Sequence, residues 1–255
     1  MIPDFLKPYE KALEKYKREA IHIDAHPVDI DILKDPLPLT QSKFLGLPFF
    51  PKSKPYPKDK AGHPMRLAAQ INFSEVPHLE GFPEDGILQL FLSGSDWYDE
   101  ESMVIYHNLS ELSEAPFEDF SFLKEEDYDE MPIHKVHKLS FSIKIENGGL
   151  DDVQFDFQFD DLNWLDFVEQ LSEEDLYFFY QYFDTDGHKM GEYAAFTQTD
   201  PREYAWRKPE DIHVLQIDSK DEIMFGDVGL GHVFINPEDL QKRDFAKAYF
   251  TWDCC

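Results

Sequence analysis

The sequence predicts an α+β fold, rich in β-structure, with two related halves and helices packed at the periphery. Three observations carry this reading. Aromatic residues make up 15% of the chain, 23 of them Phe, and flat rings pack well across a pleated surface. Apolar and polar residues alternate with period two along many segments, the mark of strands with one buried face. Three anchors also repeat in order, Gly46, Gln70 and Gly86, then Gly191, Gln216 and Gly231. Their gaps are 24 and 16 residues in one stretch, 25 and 15 in the other. Matched gaps favour an internal duplication over chance. Two copies are too few for a solenoid, so one compact domain over 1–255 is expected, with pseudo-repeat halves of about 1–130 and 131–255.

Residues 4–20 carry apolar side chains at helical spacing (Leu6, Tyr9, Leu13, Tyr16, Ala20), which predicts an amphipathic helix. The period then drops to two. Ile21, Ile23 and Ala25 alternate with His22, Asp24 and His26, and Val28, Ile30 and Ile32 with Asp29 and Asp31, so strands are expected there. Residues 35–64 hold so many Pro and Gly that they read as a loop, packed on the core through Phe49, Phe50 and Tyr56. Strands follow over 66–73, 86–92 and 103–107. The acid-crowded stretch from Asp96 to Glu130 reads as an exposed insertion with little regular structure. Further on, 139–145 and 153–159 alternate on either side of Gly148-Gly149, which predicts a hairpin. Helical spacing returns at Leu162, Leu165 and Val168. Ser172 with Asp175 three later forms a capping box for a helix over 176–183. Strands are expected over 193–198, 212–218 and 232–235, and Asn236-Pro237 opens a last short helix.

The charge balance bounds the partners. Asp and Glu number 52 against 24 Lys and Arg, a net charge of −28. Such a surface repels phosphate backbones and anionic lipid, so neither nucleic acid nor a membrane is an expected partner; a basic protein or cationic ligand is. The two cysteines, Cys254 and Cys255, are adjacent and offer no cross-link to staple the fold. That usage suits a reducing compartment. The first residues lack a basic region followed by an apolar core, and a cytoplasmic location is expected.

Several motifs resemble one family at the positions of the repeat. They are Ser42-Lys43-Phe44-Leu45-Gly46-Leu47-Pro48 with Phe49-Phe50-Pro51 and Pro57, and Gly62-His63-Pro64-Met65 leading into Leu67-Ala68-Ala69-Gln70-Ile71-Asn72. Later come Gly187-His188-Lys189-Met190-Gly191, Leu215-Gln216-Ile217-Asp218, Gly226-Asp227-Val228-Gly229 and Asn236-Pro237-Glu238-Asp239-Leu240. Over nearly its whole length the chain resembles the YwqG-like family, bacterial proteins containing a domain of unknown function. The resemblance implies an α+β fold and supplies no activity, substrate or catalytic residue. The chain departs from the family where a second Gly is frequent, at Leu45, and where Trp is frequent, at Tyr56 and Phe225; these read as packing adjustments.

The candidate chemistry is sparse. His22, Asp24 and His26 share one strand face, as zinc ligands could, but no fourth ligand is apparent and a solvated face is the better reading. Asp184-Thr185-Asp186-Gly187 resembles part of a calcium loop, yet Tyr182 and Tyr193 stand where further ligands belong; a helix exit capped by Gly187 is expected instead. Gly226-Asp227-Val228-Gly229-Leu230-Gly231 precedes a strand and lacks a Lys, so it reads as a tight turn and not a phosphate loop. No nucleophile elbow or Cys–base pair is present, and no cofactor is expected. The repeated pairs Gln70/Asn72 and Gln216/Asp218 stand out, because amides in apolar strands need partners. They tie neighbouring loops together or, with His188 and Asp227, line a binding site. A binding or interaction protein recognising a basic partner is the leading expectation. The alternative is an enzyme using Asp, His and Gln side chains in a cleft between the halves.

Overall fold

The computed structural model describes residues 2–94, 97–204 and 206–255. Asp96, at the head of the predicted insertion, lies outside the described residues. The strands are β1 (Arg18–Val28), β2 (Lys43–Phe44), β3 (Arg66–Asn72), β4 (Ile87–Leu92), β5 (Ser102–His107), β6 (Val136–Glu146), β7 (Lys189–Met190), β8 (Ile212–Asp218), β9 (Leu230–Ile235) and β10 (Tyr249–Asp253). Helices α1 (Glu10–Leu13), α2 (Leu109–Leu112), α3 (Trp164–Val168), α4 (Glu173–Tyr182) and α5 (Pro237–Gln241) are short. Among the described residues no helix is long and apolar enough to cross a membrane.

All ten strands form one sheet in the order β10-β9-β8-β7-β1-β6-β2-β3-β4-β5. Every pairing is antiparallel. The order reads alike from both ends: two long central strands, then on each side a two-residue strand and three longer ones. The long strands are exchanged. β1 lies beside β7 of the later stretch, and β6 beside β2 of the earlier one. Ile23↔Phe141 is the middle pair of the β1–β6 ladder, which runs from Arg18↔Glu146 to Val28↔Val136.

The sheet curls until its edges meet. On β10, Thr251 donates to Glu100 and the Trp252 indole to the Tyr98 carbonyl at 3.1 Å, both just before β5. The enclosed face holds the main core, with Ile21, Ile71, Leu88, Leu90, Leu215, Ile217, Val233 and Phe250 all buried. Loops cover the other face. Phe50 packs on Leu67 and Phe91 on one side, and Ala194 and Phe196 on Phe234 on the other. Strands β4 and β9 are therefore buried at every position, which explains their near-continuous apolar sequence.

Several expectations change. Residues 4–16 form two 3₁₀ segments around a single α-turn, and β1 already begins at Arg18; Pro8 inside the first segment denies a regular helix its hydrogen bond. Residues 30–32 do not extend β1. β6 pairs with β1 and β2, not with 153–159, whose phenylalanines instead build an aromatic cluster with Leu6, Tyr16, Phe167 and Phe179. Period two there records a half-buried extended segment with no ladder. Residues 193–198 likewise run as a covering loop, not a strand. Besides the expected strand β5, the stretch after Asp96 holds α2 and buries Trp97, Phe120 and Leu123, so it is not simply an exposed insertion. The caps are as expected: Ser172 accepts from Asp175 N at 3.1 Å and returns its hydroxyl to the Asp175 carboxylate at 2.8 Å.

Candidate functional site

The repeated amides sit on the loop-covered face, in matching surroundings. Gln70 Oε1 accepts from Phe49 N at 2.9 Å, and its Nε2 donates to Leu39 O and Gln41 O. Gln216 Oε1 accepts from Ala195 N at 2.9 Å, and its Nε2 donates to Thr185 O and Gly187 O. Each of these partners in the second set stands 146 residues after its counterpart. The same offset relates Lys43↔Gln70 to Lys189↔Gln216 across the ladders, and the register shift at Leu67/Ala69 to that at His213/Leu215. It also relates Asn72 N, donating to Ser42 Oγ at 2.8 Å, to Asp218 N, donating to His188 Nδ1 at 3.0 Å.

The glycine anchors shift under this register. Leu45 and Gly46 have φ of 59° and 90°, Gly191 and Glu192 of 77° and 57°. Two consecutive left-handed residues thus occur in both places, with the glycine second in one and first in the other. Gly191 corresponds to Leu45, so the departure at Leu45 bears backbone strain and is no simple packing adjustment. Gly231, facing Ile217, corresponds to Leu88, facing Ile71; the counterpart of Gly86 is Gly229.

Sequence reasoning missed the buried ion pairs beside these amides. Lys43 Nζ contacts Asp35 Oδ2 at 2.7 Å with both side chains sealed from solvent, and that oxygen also accepts from Leu47 N at 3.1 Å. Lys189 pairs with Glu146, which accepts from Tyr193 N at 3.3 Å. Tyr193 again follows Leu47 by 146. Burial pushes the Lys189 ammonium down and the Glu146 carboxyl up, and the contact between them opposes both shifts. A signal was available: each Lys stands 27 residues before its Gln, next to an apolar residue. Arg202, also buried, bridges Asp152 and Asp200, both at 2.7 Å.

The two networks differ at their ends. Gln70 continues through Gln89 (2.8 Å) to His107 (3.0 Å) and Glu111 (2.8 Å), a fully bonded chain. The opposite network holds His213, His232 and Asp253, with looser gaps of 3.5 and 3.8 Å. His232 Nε2 and Asp253 Oδ1 are both buried there without a hydrogen bond. Burial lowers the pKa of both histidines.

The remaining predicted residues are scattered. Asn72 caps the turn after β3 through Ser74 N and donates to Thr40 O. Asp218 Oδ2 accepts from Gly187 N at 3.0 Å. His188 is buried against Phe44 at 5.1 Å, and burial pushes its pKa down to about 3. Its Nδ1 accepts from Asp218 N, so Nε2 carries the proton, and that atom has no partner. Asp227 is exposed in the turn before β9. Gln70, Asn72, His188, Gln216 and Asp218 thus bond to backbone of the chain itself, and Asp227 stands apart from them.

The metal motifs stay apart as well. His22 Nε2 lies 3.5 Å from Asp24 Oδ1, while His26 turns to Ser140 at 3.3 Å. Among the described residues no three His, Cys, Asp or Glu side chains converge as a metal would need. Gly187 has a left-handed φ of 95° as expected, but it does not cap α4, which ends at Tyr182 with Phe183 as its C-cap; the Gly187 N–H instead donates to Asp218. Gly229 N closes the 226–229 turn onto Phe225 O at 2.8 Å.

No curated protein matches this chain. Both amide networks fall within a span that one family model covers: residues 42–254 match the family described as a domain of unknown function, DUF1963, and the chain belongs to that family.

Proposed function

We propose that this protein is a cytoplasmic binding protein that recognises a basic or cationic partner through its acidic surface. One observation carries the reading. Lys43, Lys189 and Arg202 are buried and matched by Asp35, Glu146, Asp152 and Asp200, so nearly all of the −28 charge stays on the surface. A field of that sign attracts cations and basic protein surfaces and repels nucleic acid and anionic membranes. Titration of a lysine-rich polypeptide tests it. Affinity should be measurable at physiological ionic strength and fall as salt rises. Absence of binding at low salt would remove the reading.

We further propose that halves of about 1–130 and 131–255 descend from one duplicated unit, in line with the YwqG-like resemblance. The constant 146-residue offset of amides, lysines, strand irregularities and backbone partners supports this. Gln70, Asn72, Gln216, Asp218 and His188 then act as ties between strands and covering loops, and Asp227 belongs to the acidic surface. The alternative, an enzyme using Asp, His and Gln, is favoured by the Asp253–His232–His213 row alone. That row lies within the second half, not between the halves.

A further inference from the structure

The connection between the long central strand and the following two-residue strand differs between the halves. From β1 to β2 it is a short loop; from β6 to β7 it carries α3 and α4. Between Lys144 and Lys189 there is no Lys or Arg, against thirteen Asp and Glu. The same segment leaves large apolar side chains in solvent: Leu165 is 58% exposed, Tyr177 62%, Phe178 46% and Tyr180 45%. On α4 the Tyr177 and Phe178 rings are in contact at 5.5 Å, and exposed apolar side chains gathered amid charge mark an interaction site. Beside it lies a cavity of about 250 Å³ lined by Trp164, Tyr180, Asp151, Asp184 and Asp186. Lys144 reaches Asp184 at 3.3 Å. Burial and then the Asp186 carboxylate push Asp151 up to about 6, and burial and Asp184 raise Asp186. Both side chains still reach solvent, so these shifts report a dense wall on one side and crowded like charge.

We propose that the exposed aromatic face of α3 and α4, with the adjoining Trp164–Tyr180 cavity, docks a basic amphipathic peptide segment whose apolar side chains cover Leu165, Tyr177 and Phe178 and whose Lys or Arg enters the cavity. The proposal rests on the acidic-surface reading above and locates it. Charge complementarity selects the occupant: carboxylates neutralise the cation while Trp and Tyr rings favour it through their faces. Apolar anchors then supply the contact area that charge alone lacks.

The test is a fluorescence-anisotropy titration of a short labelled amphipathic peptide of Leu, Lys and Arg into the full chain. Three double variants are compared: Tyr177→Ser with Tyr180→Ser, Asp151→Asn with Asp186→Asn, and Glu125→Gln with Glu126→Gln. The first two should each weaken binding about tenfold, and the third, which removes as much charge elsewhere, should change it less than about twofold. Salt-sensitive binding that all three variants retain would overturn this face while leaving the acidic-surface reading intact. No binding by the wild-type chain would sink both. Spermine binding as tightly as the peptide would make the occupant a small polycation. A wild-type dimer dissociated by the tyrosine variant in sedimentation would make it a second copy. Either result overturns the proposal.

Discussion

Gln70 and Gln216 each accept the backbone amide of a residue 21 positions earlier, Phe49 and Ala195, at the same 2.9 Å. Each also clamps two carbonyls of the chain leading into the short strand at its side. One side chain thus fixes a covering loop and an incoming strand at once. Gln70→Leu and Gln216→Leu should each lower stability by about 1–3 kcal/mol, the cost of leaving buried backbone groups unpaired. Urea denaturation measures this. A loss below about 0.5 kcal/mol in both would show that the loops hold without the amides.

Lys43 and Asp35 test whether the neighbouring ion pair is equally structural. Lys43→Met should cost about 3–5 kcal/mol, because it leaves a buried carboxylate without its cation. Lys43→Met combined with Asp35→Asn should recover part of that loss, since the neutral amide oxygen can still accept from Leu47 N. A double variant less stable than Lys43→Met would mean that the carboxylate's bonds to Leu37 and Leu47 amides outweigh the ion pair.

The sequence made the strands legible where one side faced water or where apolar runs were bounded by turns, as at β3, β4, β8 and β9. It misled where period two had another cause. Phe155, Phe157 and Phe159 alternate because they fill an aromatic cluster from an extended segment, a tertiary demand that outweighs strand pairing. The two-residue strands β2 and β7 are too short to have a period, and only the repeated Lys–Gln spacing could have revealed them. The amides were visible as anomalies in apolar strands. Their bonding partners were not, since these lie in loops of no fixed spacing pattern.

Gly229, which occupies the place in the β8–β9 register that Gly86 has beside β3, offers a sharper test of a glycine. A Cβ there would lie 1.9 Å from the Asp253 carbonyl oxygen and 2.7 Å from that of Phe225, and backbone cannot swing aside. Gly229→Ala should therefore push β10 away from the turn and cost about 3 kcal/mol. Thermal unfolding compares it with Gly81→Ala, where nothing lies within 4 Å and only the left-handed φ of 82° is strained; Gly229→Ala should lose clearly more. Equal losses in the two variants would show that β10 yields freely.

The buried histidines set the response to acid. Burial lowers the pKa of His107, His137, His188, His213 and His232, so they are neutral in the fold. Unfolded histidine takes a proton near pH 6.5. Below that value the unfolded chain binds protons that the folded chain refuses, and stability falls with pH. It is fully present above about 6.5 and is lost, for His188, on the way down to about 3. Asp151, raised to about 6, has the opposite sign: folded protein takes its proton first, and the cost of its charge is relieved as pH falls through 6. Burial raises Asp186, Glu146 and Glu192 as well, with the same sign as Asp151, so the histidine part is read by comparing a histidine variant with the wild-type chain. His188 sits against Phe44, with His137, Lys220 and His22 as the charges around it, all opposing protonation. His188→Asn keeps an acceptor for Asp218 N and removes one titrating ring. Its stability should decline less steeply below pH 6, by up to about 1.4 kcal/mol per pH unit. Urea unfolding from pH 7.5 to 5 reads the slope, and an unchanged slope would mean that His188 titrates in the fold as it does in water.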